Sequence, residues 1–166
     1  MIRLFVIVSA AILFASYLGP SIVQSDVPPD TVITLERTIC YGSCPMYTLT
    51  VKADGSVSFQ PRYVEGRAIV SGDLKQGNIS KEKLKELVSR FEKVDYFSFK
   101  DSYKFGDKDC PKSWTDSPSA ITSITINGRS KSVHHYYGCE GNILLERLTE
   151  LESKIDEIVN TKQWLN

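Results

Sequence analysis

The residues of this chain best suited to chemistry are four cysteines, Cys40, Cys44, Cys110 and Cys139, and the adjacent pair His134-His135. Thiolate and imidazole together hold zinc or copper, and a close thiol pair can exchange electrons. The spacing argues against both. Cys40 and Cys44 form a C-x3-C pair, which is neither the C-x2-C of zinc ribbons and thioredoxin-like centres nor the C-x-x-C-H of haem attachment. His134 and His135 are consecutive on an expected strand, so they point to opposite faces and cannot both line one pocket. One should be buried against a polar partner and the other exposed. Asp107, Asp109 and Asp116 offer oxygens suited to calcium, but their spacing does not match an EF-hand loop. No G-x-S-x-G or other nucleophile context accompanies the histidines. These residues call for no catalytic set, no metal and no cofactor. A polar patch of Trp114, Asp116, His134 and Tyr136, at the mouth of an expected hairpin, is the expected binding surface, with Asp116 as a turn residue and Trp114 as a lid over the edge of the core.

The elements that must position these groups begin after a segment of different character. Arg3 supplies a positive end, Leu4 to Leu18 is almost wholly apolar, and Gly19-Pro20 breaks the run. An apolar stretch of about 15 residues is short for a bilayer span, which needs about 20. Residues 1–25 therefore read as a signal peptide, with Val23-Gln24-Ser25 as the cleavage site. Residues 26–30 form an extended lead-in, and residues 31–166 form one domain. The expected location is periplasmic or extracellular, with no membrane attachment after cleavage. Twenty basic and twenty acidic side chains cancel, so there is no electrostatic footprint for nucleic acid.

An even number of cysteines behind a signal peptide favours disulfides. Four allow three connectivities. Cys40 and Cys44 bracket a tight loop between two neighbouring strands, and Cys110 and Cys139 both fall at the open end of a hairpin, so placement favours Cys40–Cys44 with Cys110–Cys139. The longer loop should contribute about 3.6 kcal/mol and the shorter about 2. The longer bridge would also pin Lys100 to Ser119, the longest irregular stretch.

Thr31 to Ile39 is β-branched and alternating, and Met46 to Val51 resumes the alternation with Tyr47, Leu49 and Val51 on one face. A three-residue turn with left-handed Gly55 sets Val51 opposite Val57 and Leu49 opposite Phe59. Pro61 is expected to end that strand, with a short further strand around Arg67 to Val70. Ser80 caps a helix whose apolar residues Leu84, Leu87, Val88 and Phe91 recur at helical spacing. Tyr96, Phe97 and Phe99 should seal it onto the sheet. Ala120 to Ile126 and Arg129 to Tyr137 flank Asn127-Gly128, a strong hairpin signal. Asn142 caps a second helix with the stripe Leu144, Leu148, Leu151, Ile155 and Ile158, running to about Asn160, and Trp164 tucks the tail back. The fold class is α+β: an antiparallel sheet of about six strands packed against two amphipathic helices and pinned by disulfides.

The chain resembles the bacterial domain-of-unknown-function family numbered 6438. The resemblance rests on Cys40-Tyr-Gly-Ser-Cys-Pro-Met-Tyr47, Asp54-Gly55, Trp114-Thr-Asp-Ser-Pro118 and Ser123 to Tyr136 with Gly138-Cys139. It implies a single exported domain and supplies no catalytic residues. The expected function is a non-enzymatic binding or interaction domain for a protein or small-molecule partner. The alternative is a Cys/His metal-binding or thiol-redox protein of the cell envelope.

Overall fold

The structure is a computed structural model and describes residues 27–165. The expected signal peptide lies outside the described residues. Ten strands and two helices follow in order: β1 (Val32–Arg37), β2 (Met46–Lys52), β3 (Ser56–Glu65), β4 (Ala68–Ser71), β5 (Lys75–Asn78), α1 (Lys81–Lys93), β6 (Ser102–Tyr103), β7 (Lys112–Ser113), β8 (Ser119–Ile126), β9 (Arg129–Tyr136), β10 (Cys139–Glu140) and α2 (Ile143–Val159). The main sheet has eight strands in the order β4-β3-β2-β1-β8-β9-β6, with β5 also on β3, while β7 and β10 form a separate ribbon. The α+β class holds. The sheet is larger than expected, and it is mixed, because β6 runs parallel to β9.

The two extra members had no alternation to reveal them. β5 reads Lys-Gln-Gly-Asn and is held by context: the Trp164 ring lies over Gly77, where a Cβ would come within 2.8 Å of it, and stacks on Phe59 at 5.2 Å. Pro61 does not end β3, which continues to Glu65. Its carbonyl accepts from Gly72 N at 2.9 Å, so its missing N–H faces the seam where the neighbour of β3 changes from β5 to β4. No ladder bond is lost there.

The expected hairpins form in the expected registers. Gly55 is left-handed and its N–H bonds Lys52 O, with Val51 opposite Val57 and Leu49 opposite Phe59. Asn127 and Gly128 both have positive φ, and the carboxylate of Asp30 accepts from both their N–H groups at 3.1 and 2.6 Å. The start of the described chain is thereby fastened to that turn.

Both helices cover one face of the sheet. Ser80 accepts from Lys83 N, and Leu84, Leu87, Val88 and Phe91 are buried, while Tyr96 and Phe99 pack beneath. In α2 the buried stripe is Leu145, Leu148, Leu151, Ile155 and Ile158; Leu144 is exposed, a correction of one residue at the capped first turn. Glu152 lies within the same buried face.

The inward side chains of the sheet form rows across the strands. One row reads Val57, Val51, Ile33, Ile124, and the next reads Phe59, Leu49, Leu35, Thr122, Val133. The third reads Pro61, Tyr47, Arg37, Ala120, His135, Tyr103. The core is thus apolar at one end and turns polar at the other.

Candidate functional site

The polar end is built by simple continuation of the strand and helix periods. Ile33 and Leu35 point inward, so Arg37, two residues further, does so too. Glu152 and Asp156 are four residues apart on α2 and meet that end of the sheet from above.

The groups form one connected network. Arg37 donates from Nη2 and Nε to Asp156 Oδ2 at 2.8 and 3.3 Å, and from Nη1 to the Tyr137 hydroxyl. Tyr47 and Thr161 donate to Asp156 Oδ1 at 2.5 and 3.0 Å. Tyr137 donates its hydroxyl to Glu152 Oε2 at 2.5 Å, and Glu152 also accepts from the Thr122 hydroxyl at 3.4 Å. His135 Nδ1 lies 3.2 and 3.1 Å from the two Glu152 oxygens. His135 and Glu152 are 1% and 0% exposed. The expectation of one histidine buried on a polar partner is met, and Glu152 is that partner.

Burial opposes the charge of Arg37, yet Tyr137, Asp156 and Tyr47 outweigh it and raise its pKa above the guanidinium norm. Burial, with Asp156 next, pushes the Tyr47 hydroxyl up; burial, with Glu152 next, does the same for Tyr137. Both phenols therefore stay protonated and act as donors at neutral pH.

The outer side of this network opens into a cavity of about 680 Å³. Its floor is Arg37, Asp156, Tyr47 and Tyr137; its walls are Pro45, Pro118, Cys44 and Leu165; Thr38, Ser153, Glu157, Asn160, Thr161 and Lys162 form the remaining lining. A second depression of about 400 Å³ shares Cys44, Pro45 and Leu165 with it. The cavity therefore lies between the first cysteine loop, the end of α2 and the tail.

Both disulfides have the expected connectivity, Cys40–Cys44 with Cα atoms 5.8 Å apart and Cys110–Cys139 with Cα atoms 4.9 Å apart. The first shapes the cavity wall. The second ties the irregular stretch to β10.

The four residues of the expected patch fall on the other side of the sheet. Tyr136 donates its hydroxyl to Trp114 O at 2.6 Å and accepts from Ser117 N at 3.2 Å, so it is joined to the Trp114 loop. Trp114 is 61% exposed and is not a lid over the core. Its backbone packs tightly on Gly138, whose carbonyl accepts from Trp114 N at 2.8 Å and where a Cβ would collide with Trp114 O and the Tyr136 ring. Asp116 is an exposed turn residue with φ 64° whose carbonyl accepts from Tyr41 N. His134 is half-buried on the same strand face as Tyr136, opposite Ile121. Of the loop carboxylates, Asp107 accepts from Lys104 N and Asp109 pairs with Lys100. Among the described residues no three of His, Cys, Asp and Glu converge as a metal site would require.

A disulfide-pinned α+β domain, with a buried polar network beneath an open cavity, is the class these features define. The chain belongs to the family described as Domain of unknown function (DUF6438), which matches residues 31–159. No curated protein matches it.

Proposed function

We propose that the protein is an exported, non-enzymatic binding module that receives its ligand in the cavity beside the Cys40–Cys44 loop. The observation that carries this reading is the convergence of Arg37, Asp156, Tyr47 and Tyr137 on the floor of an otherwise largely apolar cavity of about 680 Å³. Sites for small ligands combine such a volume, roughly 300–1,000 Å³, with a few well-held polar groups. Export is supported by two disulfides, which persist in oxidising compartments, and by the leader-like character of residues 1–25. Among the described residues no helix is long and apolar enough to cross a membrane. The Trp114, Asp116, His134 and Tyr136 surface is proposed as a second contact area, supported by the exposure of Trp114 on backbone held by Tyr136. The metal or thiol-redox alternative would need the disulfides reduced first, because no free cysteine is present.

The test is protein-observed NMR of the mature chain against a fragment library, alongside Ser153→Trp, which fills the cavity from α2. Hits clustered on Thr38, Tyr47 and Thr161 and lost in the variant are expected. Hits scattered over the surface and indifferent to the variant would refute the reading. Alkylatable thiols or a stoichiometric metal in the native protein would turn attention to the alternative.

A further inference from the structure

The cavity's hydrogen bonds are unequally satisfied, and the inequality has a sign. Asp156 accepts four bonds, two from Arg37 and one each from Tyr47 and Thr161. That fills the capacity of a carboxylate. Glu157, the other carboxylate in the lining, has its charge met by Lys154 at 2.5 Å and turns its remaining acceptor sites to solvent, with the side chain 67% exposed. Glu152, beneath the floor, has Tyr137, Thr122 and His135.

The cations are in the opposite condition. A guanidinium carries five N–H donors. Arg37 spends three, two on Asp156 and one on Tyr137, which leaves one on each terminal nitrogen without an acceptor among the described residues. Lys162 lines the mouth, and its ammonium has no acceptor among the described residues. Between these two positive groups the walls are the flat apolar surfaces of Pro45, Pro118 and the tyrosine rings.

We infer that the cavity takes a carboxylate borne on an apolar body, the carboxylate meeting the unspent Arg37 donors and Lys162, and the body lying along the proline and tyrosine walls. The inference rests on the cavity being the binding site. Charge-assisted bonds from a guanidinium whose fork is already held in place lose little entropy on binding, and this favours an anion over a neutral isostere. Two sources share this chemistry, a free organic acid and the C-terminus of a peptide with an apolar last residue.

The experiment titrates the mature protein, by NMR, with 3-phenylpropionate, 3-phenylpropionamide and 3-phenylpropylamine, and with Gly-Ala-Phe in acid and C-terminal amide forms. The expected result is shifts at cavity residues, with each acid binding about tenfold or more tighter than its amide. Lys162→Met, which breaks no side-chain hydrogen bond or ion pair among the described residues, should weaken the acids about two- to fivefold and leave the amides unchanged. Equal affinity for acid and amide, or preference for the amine, overturns the carboxylate inference while leaving the cavity as a binding site. Silence of the cavity residues toward all five probes overturns the binding reading as well. Tighter binding of Gly-Ala-Phe than of 3-phenylpropionate, or the reverse, supports the inference and identifies the source.

Discussion

Glu152 is a carboxylate with no solvent contact, and its replacement tests whether the network is a balanced unit. Glu152→Leu conserves approximate volume and helix propensity but removes the acceptor for Tyr137, Thr122 and His135. Tyr137 lines the cavity, so its hydroxyl can turn toward water. His135 is 1% exposed and has no such recourse. Removing one partner from a buried ionic or hydrogen-bonded set costs about 3–5 kcal/mol. For a domain of this size that is a fall in Tm of roughly 10–15 °C. The assay is urea denaturation at pH 7 without reductant, so that both disulfides constrain the unfolded chain equally. His135→Leu added to Glu152→Leu removes the stranded donor together with its lost partner, and the double-mutant cycle should return a coupling of about 1.5 kcal/mol or more. A single-mutant loss below about 1 kcal/mol, or purely additive effects, would refute the view that His135 and Glu152 stabilise each other.

Replacing Cys110 and Cys139 together by Ala should cost about 3.6 kcal/mol against about 2 for the Cys40 and Cys44 pair, and urea unfolding curves fitted for both midpoint and slope, the slope rising as the unfolded chain loses its cross-link, would measure the difference. Burial, then Lys104 and His135, hold the His134 pKa below the imidazole value of 6.5, with Glu36 opposing. The folded chain therefore binds this proton less readily than the unfolded one, so stability is full above pH 6.5 and declines as pH falls below it. His134→Gln should flatten that decline, and an unchanged pH profile of Tm would count against the assignment. Gly138→Ala would force its Cβ onto Trp114 O and the Tyr136 ring. A loss of about 1–3 kcal/mol is expected, with altered tryptophan fluorescence as the readout. A silent substitution would mean that the Trp114 loop moves freely.

Apolar periodicity reports burial, and wherever burial and period coincide the sequence is readable. The two hairpin registers, the capped helices and the tucked Trp164 all follow from it. Cysteine placement did the same for both disulfides, because the open end of the Asn127-Gly128 hairpin brings Cys110 and Cys139 within reach. The cavity floor escapes such reading. Arg37 continues the inward series of Ile33 and Leu35, but a single cation near the end of a strand is normally solvated. Glu152 and Asp156 fall among Lys and Glu residues that resemble an exposed helix face. Only the register Tyr47 opposite Arg37 opposite Ala120 brings these charges under one helix, and register across three strands is a property of the assembled sheet. β5 was hidden for a related reason: its strand state depends on Phe59 and Trp164, which are distant in sequence.

The fastening of Asp30 to the Asn127-Gly128 turn has a practical consequence for handling the protein. β1 carries the chain from that turn to Arg37, a rise of roughly 20 Å, so the two ends of the described chain leave at opposite poles. Leu165 lines the cavity, whereas Asp30, three residues after Val27, is fastened at the other end of β1. A purification tag, fluorophore or surface linkage placed ahead of residue 27 would present the cavity outward. The same addition after Leu165 would stand in its mouth and mask binding in any assay.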